Sequence, residues 1–292
     1  IALGSVRVVG SREPCLAGYW RFDEVVDGQA RDLSSLGNHL FLGGILADYA
    51  PQRVAVDYYL PPLPVAVAGQ ALSFDGQDTL VEVQDLHNRS LGAHDRLTLA
   101  LWFNAADADA GHEQMLYAQG DAEDGLAIYL SAGVLTVAAW ANTFEGDALQ
   151  TILLKTAAGQ IASNTWHHIA VSKDEEPSAD AVAQKLVRYT AALDGAPFGE
   201  ASAAFRLSPV GPCWLGGLAS DAVIWSEALG THASSAGGHH FAGLLTDLRL
   251  WRTVKPAAEL AVQRFVAPIE PDPELILYLP LTETSGPMLE DG

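Results

Sequence analysis

The sequence predicts an all-β chain: an antiparallel β-sandwich, or jelly roll, of two sheets with one short helix. Three observations carry this. Apolar residues alternate with polar ones at period two over many short runs. Turn signals recur about every ten to fifteen residues. Helical periodicity is confined to one segment near residue 256.

The elements follow in chain order. In "GQALSFDGQDTLVEV" (69–83), Leu72 and Phe74 alternate with Ser73, Asp75-Gly76 forms a turn, and Val81 and Val83 resume the alternation. Asp75, Asp78 and Glu82 crowd that corner, but a turn explains them better than a metal does. "RLTLALWF" places Leu97, Leu99, Leu101 and Phe103 on one face and Thr98, Ala100 and Trp102 on the other. "GLAIYLS" and "VLTVAAW" are joined by Ala132-Gly133, a hairpin signal. "TWHHIAVSK" sets Ile169 and Val171 on one face. "VRYTAALDGAPF" carries a second hairpin at Asp194-Gly195. "CWLGGL" and "GLLTDLRLW" complete the strands, and "KPAAELAVQRF" reads as the helix, with Pro256 in its first turn. That inventory of short strands is what an antiparallel sandwich requires.

Composition bounds the function. The chain has 292 residues, 49% of them hydrophobic, which suits a large core. Its formal charge of −20 argues against nucleic acid and anionic membrane partners, because phosphate recognition depends on Lys and Arg. No run of about 18 apolar residues occurs, so no membrane insertion is expected. The sequence opens on Ile1 without a signal-peptide pattern, which reads as a mature product or an excised fragment. Cys15 and Cys213 form no C-x-x-C, so a thiolate zinc site is not expected. Their pairing requires an N-terminal strand beside the one at Trp214.

The two ends of the chain echo each other. "LAGYWRFDEVVDGQARD" (16–32) aligns without gaps on "LILYLPLTETSGPMLED" (275–291), with Leu16, Tyr19, Glu24 and Asp32 matching Leu275, Tyr278, Glu283 and Asp291. The expected organisation is a lead-in over 1–15, a jelly-roll domain over 16–266, a Pro-rich linker over 267–274, and the first strand of a second repeat over 275–292. A C-terminal strand closing the same domain is the alternative.

Taken in order, several blocks resemble one known pattern. They are Tyr19-Trp20-Arg21-Phe22-Asp23-Glu24, the Asp32 to Asn38 turn, Ala71 to Val83, Leu97 to Trp102, Trp166 to Val171, Asp194-Gly195, Leu215-Gly216-Gly217, and Phe241 to Trp251. This order is similar to the laminin-G-like, concanavalin-A-like lectin jelly-roll family, of pentraxin-related type. Residues 41–67 and 218–240 are longer than the family's usual links, and enlarged loops are where binding specificity sits.

The resemblance implies a bound Ca2+. The "GDAEDG" loop offers Asp121, Glu123 and Asp124, with Asp221 as a second element, since calcium takes six to eight oxygens. The residues by themselves read as a solvated acidic hairpin loop. Asp32, Asn38 and Asp247 lie in the first turn and the last block and are a second candidate cation set, against a reading as turn and strand residues. His167-His168 point to opposite strand faces and do not make one ion site. His240, Trp140 and Trp225 are the candidate ligand-binding residues, with Trp225 inside the enlarged loop. Aromatics in the core are the competing reading.

No E-x-D-x-x-E, G-x-S-x-G, H-E-x-x-H or phosphate-binding glycine motif occurs, so no enzyme is expected. A hydrolase using Asp121, Asp124 and Asp221 is the remote alternative. The expected function is a non-catalytic recognition module that binds a glycan or protein ligand with calcium. It would sit, with tandem copies, in a larger extracellular or cell-surface adhesion-type protein. A structural spacer repeat is the competing class.

Overall fold

In the computed structural model, nineteen strands and one helix are described, lying within residues 20–83, 94–265 and 274–279. Strands before residue 71, and those over 223–226, 231–234 and 275–279, are described by their backbone path. In chain order the elements are β1 (Trp20–Val26), β2 (Gln29–Asp32), β3 (Leu40–Leu42), β4 (Gln52–Tyr59), β5 (Ala66–Asp75), β6 (Val81–Val83), β7 (Arg96–Ala105), β8 (Gln114–Gly120), β9 (Asp124–Ser131) and β10 (Val134–Asn142). They continue with β11 (Leu149–Lys155), β12 (Trp166–Glu175), β13 (Lys185–Leu193), β14 (Ala196–Phe205), β15 (Cys213–Leu215), β16 (Val223–Ser226), β17 (Thr231–Ser234), β18 (Ala242–Trp251), α1 (Ala257–Gln263) and β19 (Leu275–Leu279).

Two antiparallel sheets result. One runs β1-β2-β3-β6-β15-β8-β9-β10-β11, and the other runs β14-β13-β12-β7-β18-β5-β4 with β19 added beside β18. We call them the first and second sheets. Period-two alternation stacks them. Leu97, Leu99, Leu101 and Phe103 of β7, Ile169 and Val171 of β12, and Leu126, Ile128 and Leu130 of β9 share one buried core. Phe74 and Val81, either side of the Asp75 corner, belong to the same core. Burying each such side chain contributes roughly 1.5–3 kcal/mol.

The turns form where the sequence places them. Ala132-Gly133 and Asp194-Gly195 both have positive φ at both positions, as two-residue hairpin turns require. Asp75 is a turn residue: its Oδ1 accepts from the Gln77 N–H at 2.8 Å, the Asp78 N–H at 3.2 Å and the Thr79 hydroxyl at 2.9 Å. Helix α1 follows Pro256 as expected, without a side-chain cap. It seats Leu260 against Ala100, Ala170 and Trp251 on the outer face of the second sheet.

The enlarged segment after Leu218 does not form only a rim loop. Its β16 and β17 pair as a separate two-stranded ribbon, which lies against β8, β9 and β10. Beneath it, the outer face of the first sheet carries a second apolar cluster of Met115, Ala118, Ala127, Tyr129, Ala138, Trp140 and Trp214. The ribbon therefore belongs to the packing of that face.

The lead-in over 1–15 and most of the linker over 267–274 lie outside the described residues. β19 lies in the second sheet, with Leu248, Arg249, Leu250 and Trp251 of β18 opposite Leu279, Tyr278, Leu277 and Leu275.

Candidate functional site

The outer face of the second sheet builds a groove. On β12 the inward residues are Ile169, Val171 and Lys173, so alternation turns Ala170, Ser172 and Asp174 outward. Thr190 and Ala192 of β13 and Pro197, Gly199 and Glu200 of β14 continue the surface, and Val254 to Leu260 wall it on the other side. The space between is a cavity of about 460 Å³. Small side chains on the floor leave room, and α1 supplies the wall.

The wall is tied down locally. The Thr98 hydroxyl donates to the Thr253 carbonyl at 2.7 Å and accepts from the Lys255 N–H at 2.9 Å, while sharing a 3.0 Å hydrogen bond with Ser172. Lys255 Nζ donates to Glu259 Oε1 at 3.0 Å. On the same face Asp174 is bridged by Arg96 and Arg188, each at 3.0 Å and each directly opposite in the ladder. The groove thus offers hydroxyls, an exposed carboxylate at Glu200 and small apolar patches. That chemistry suits a polyhydroxylated ring or a polar peptide segment.

Trp140 and His240, two of the three predicted ligand-binding residues, do not converge. Trp140 is 1% exposed, a correction to its expected surface role. It lies opposite Gly125 on β9, where any Cβ would run into the indole, and its Nε1 donates to the Asp121 carbonyl at 2.8 Å. It is a packing residue that braces the acidic loop. His240 lies at the opposite end of the sandwich, half-buried beside Gly217. Burial is the largest influence on its ring and lowers its pKa, against a hydrogen bond to Thr79 and the charges of Asp78 and Asp75. Its neighbour His239 faces Glu113 at 3.2 Å. Trp225 lies on β16 opposite His232 in the ladder, and its side chain lies outside the described residues.

The acidic loop divides. Asp121 and Glu123 are exposed, and Asp121 Oδ1 accepts from the Glu123 N–H at 2.7 Å and the Asp124 N–H at 3.3 Å, closing a turn. Asp124 is 3% exposed and points inward with Leu126. It therefore does not join Asp121 and Glu123 on one outward surface. Asp247 is also committed elsewhere: its two oxygens accept from Arg249 Nε and Nη2, both at 2.8 Å. It sits at positive φ in a break of the β18–β7 ladder, and Arg249 Nη1 donates to the Gln263 carbonyl, tying down the end of α1. A shared cation with Asp32 and Asn38 is corrected accordingly for Asp247. The Asp32 side chain, Asn38 and Asp221 lie outside the described residues. Among the described residues no three His, Cys, Asp or Glu groups gather to hold a metal. The described residues alone do not fit calcium.

Two arrangements were missed in the sequence. Lys173 and Glu175 both belong to β12. They end β12 with both side chains turned inward, 2.8 Å apart and almost fully buried. Tyr189 lies in the same interior, where burial first, and then the negative charges of Glu175 and Asp124, raise its phenol pKa. His167 Nδ1 meets Asp194 Oδ2 at 2.8 Å while its Nε2 accepts from the Ala162 N–H at 3.2 Å. With Nε2 accepting, Nδ1 is the nitrogen that donates to Asp194. Extending the alternation of "TWHHIAVSK" by two residues, through Glu175, would have shown both the buried pair and the outward Ser172 and Asp174.

Two stacked antiparallel sheets of this kind define a jelly-roll β-sandwich. The chain belongs to the Laminin_G_3 family, of the concanavalin A-like lectin/glucanases superfamily, whose profile matches residues 75–261. Among solved structures, the binding domain of botulinum neurotoxin serotype G is similar with a TM-score of 0.49 and 8% identity, over 81% of this chain and 48% of that one. The binding domain of botulinum neurotoxin DC in complex with SialylT is similar with a TM-score of 0.44 and 10% identity, over 80% and 47%. The chain thus spans about half the length of these structures. Among curated proteins none matches.

Proposed function

We propose that this chain is a non-catalytic recognition module whose ligand, a glycan or an extended polar peptide, lies in the groove between β12–β14 and α1. The observation that carries the reading is that groove itself. Its floor is made of Ala170, Ala192 and Pro197, and its rim carries Ser172, Thr190 and Glu200. The family supports the reading, since it lies within a lectin and glucanase superfamily. Of the described carboxylates of the remote hydrolase alternative, Asp124 is buried inward and Asp121 is exposed, so these two do not flank one cleft. Placement in a larger extracellular protein with tandem copies belongs to the same proposal and rests on the family.

A glycan array tests it, with the wild type beside Thr190→Trp, which fills the groove from an outward strand position. Binding that falls at least tenfold in the variant, at an unchanged melting temperature, is the expected result. Equal binding by both proteins would move the ligand away from this groove. No binding by either would favour the spacer reading. That reading has its own support: among the described residues the large exposed hydrophobics are Leu186 and Val262, with no exposed aromatic platform.

A further inference from the structure

The outward face of the second sheet is sorted into rows. Across the ladders Thr98 lies opposite Ser172, Ser172 opposite Thr190, and Thr190 opposite Glu200. Two residues along the strands, the next row is Ala100, Ala170, Ala192 and Pro197. A ligand lying across the strands therefore meets polar groups along one edge and small apolar groups beneath it.

The polar row has a fixed hydrogen-bonding sense. Thr98 has one hydroxyl proton, and the Thr253 carbonyl, which can only accept, takes it at 2.7 Å. The 3.0 Å bond between Thr98 and Ser172 is therefore donated by Ser172. Ser172 Oγ is left with lone pairs to offer the groove, which it lines at 4% exposure. Glu200, exposed at the far end of the row, only accepts when ionised. Lys255 is the one cation of the lining among the described residues, and it donates to Glu259 at 3.0 Å. In the row beyond, Arg96 and Arg188 are held on Asp174. The row thus suits a ligand that donates. An anionic oxygen has no proton for Ser172 and meets the Glu200 charge, on a chain whose formal charge is −20.

The floor favours a glycan over a peptide. β12 and β13 are paired on both sides, so their main-chain groups are spent in the ladders. An extended peptide finds no open strand there to pair with. Sugar hydroxyls need none, because side chains supply the acceptors.

We propose, resting on the reading of this groove as the binding site, that it selects non-acidic glycans. Ser172 and Glu200 accept hydrogen bonds from ligand hydroxyls or amines, and Glu200 turns away ligands that carry carboxylate, sulfate or phosphate.

An array of matched oligosaccharides, each in a neutral form and a form capped by a carboxylate-bearing sugar, tests this. The proteins compared are the wild type, Glu200→Lys, Ser172→Ala and Thr190→Trp. The wild type is expected to prefer the neutral member at least tenfold. Glu200→Lys, a change at an exposed position that leaves the melting temperature unchanged, is expected to lose that preference. Ser172→Ala is expected to bind neutral glycans at least fivefold more weakly. A wild type that binds both members alike, or Glu200→Lys that keeps the wild-type ratio, overturns the selection, while lost binding in Thr190→Trp leaves the groove itself standing. Unchanged neutral binding by Ser172→Ala overturns the acceptor role of Ser172. Binding retained by Thr190→Trp, or no binding by the wild type, overturns the groove reading and the selection with it.

Discussion

Trp140 shows how one residue changes role once its neighbours are known. A tryptophan near an acidic loop reads as a sugar-stacking platform, yet its ring covers Gly125 and its N–H holds the Asp121 carbonyl. Trp140→Ala is expected to cost about 3–5 kcal/mol in chemical denaturation, as other buried large-to-small aromatic changes do. Ligand binding by the folded fraction should be unchanged. A variant of wild-type stability with lost binding would return Trp140 to the ligand. His168 carries a second expectation. It is buried against Trp102, and burial, then Arg249 and Arg264, hold its pKa down at about 3. A histidine depressed in the folded state leaves the unfolded chain to bind the proton. Its stability contribution is complete above about pH 6.5 and is lost as pH falls from there towards 3. The folded state should lose about 2 kcal/mol between pH 7 and pH 5 from this group. Denaturation midpoints for wild type and His168→Gln at both pH values check it, and equal losses in the two proteins would refute it.

Among the elements, legibility followed the strength of the alternation. β7, β9 and the two hairpins were readable because one face is apolar without interruption and the turn residues are Asp-Gly and Ala-Gly. β12 was cut short because Lys173 and Glu175 look like surface residues. Only the facing sheet, with Asp124, and the neighbouring Tyr189 of β13 make an interior for them. The ribbon of β16 and β17 was read as a binding loop, since length alone does not say what a loop covers. Its place over β8–β10 accounts for buried Tyr129 and Trp214. Replacing residues 221–236 with a short Gly-Ser link should bare that apolar face. The expected signs are strong binding of a hydrophobic dye and self-association in ultracentrifugation. A monomeric variant that binds no dye would show that the face needs no cover.

For the whole molecule, the family and the sandwich were within reach of the sequence, because ordered weak blocks add up. The site was not, because a groove depends on which strands lie side by side: Ser172, Thr190 and Glu200 are far apart in the chain and neighbours across β12, β13 and β14. A calcium proposal is likewise tested on the whole molecule: Asp121 and Glu123 with Asp221 form one candidate set, and Asp32 with Asn38 a separate one at the first turn. A thermal melt with and without chelator, then with calcium restored, reads this directly. A cation held only by the folded state stabilises it by roughly 2.7 kcal/mol at a hundredfold excess over its dissociation constant. The calcium reading expects a chelator-induced fall in Tm that calcium reverses, and an unchanged melt would end it.

The buried Lys173–Glu175 pair has a consequence for how the strands find one another. β12 runs between β7 and β13, with partners on both sides along most of its length. A one-residue slip would expose the ammonium–carboxylate pair on the outer face and drive Asp174, stripped of Arg96 and Arg188, into the interior. Buried ion pairs add little net stability, but an unmatched buried carboxylate is severely penalised. The pair therefore works as a key that favours one register of β12 over its one-residue slips.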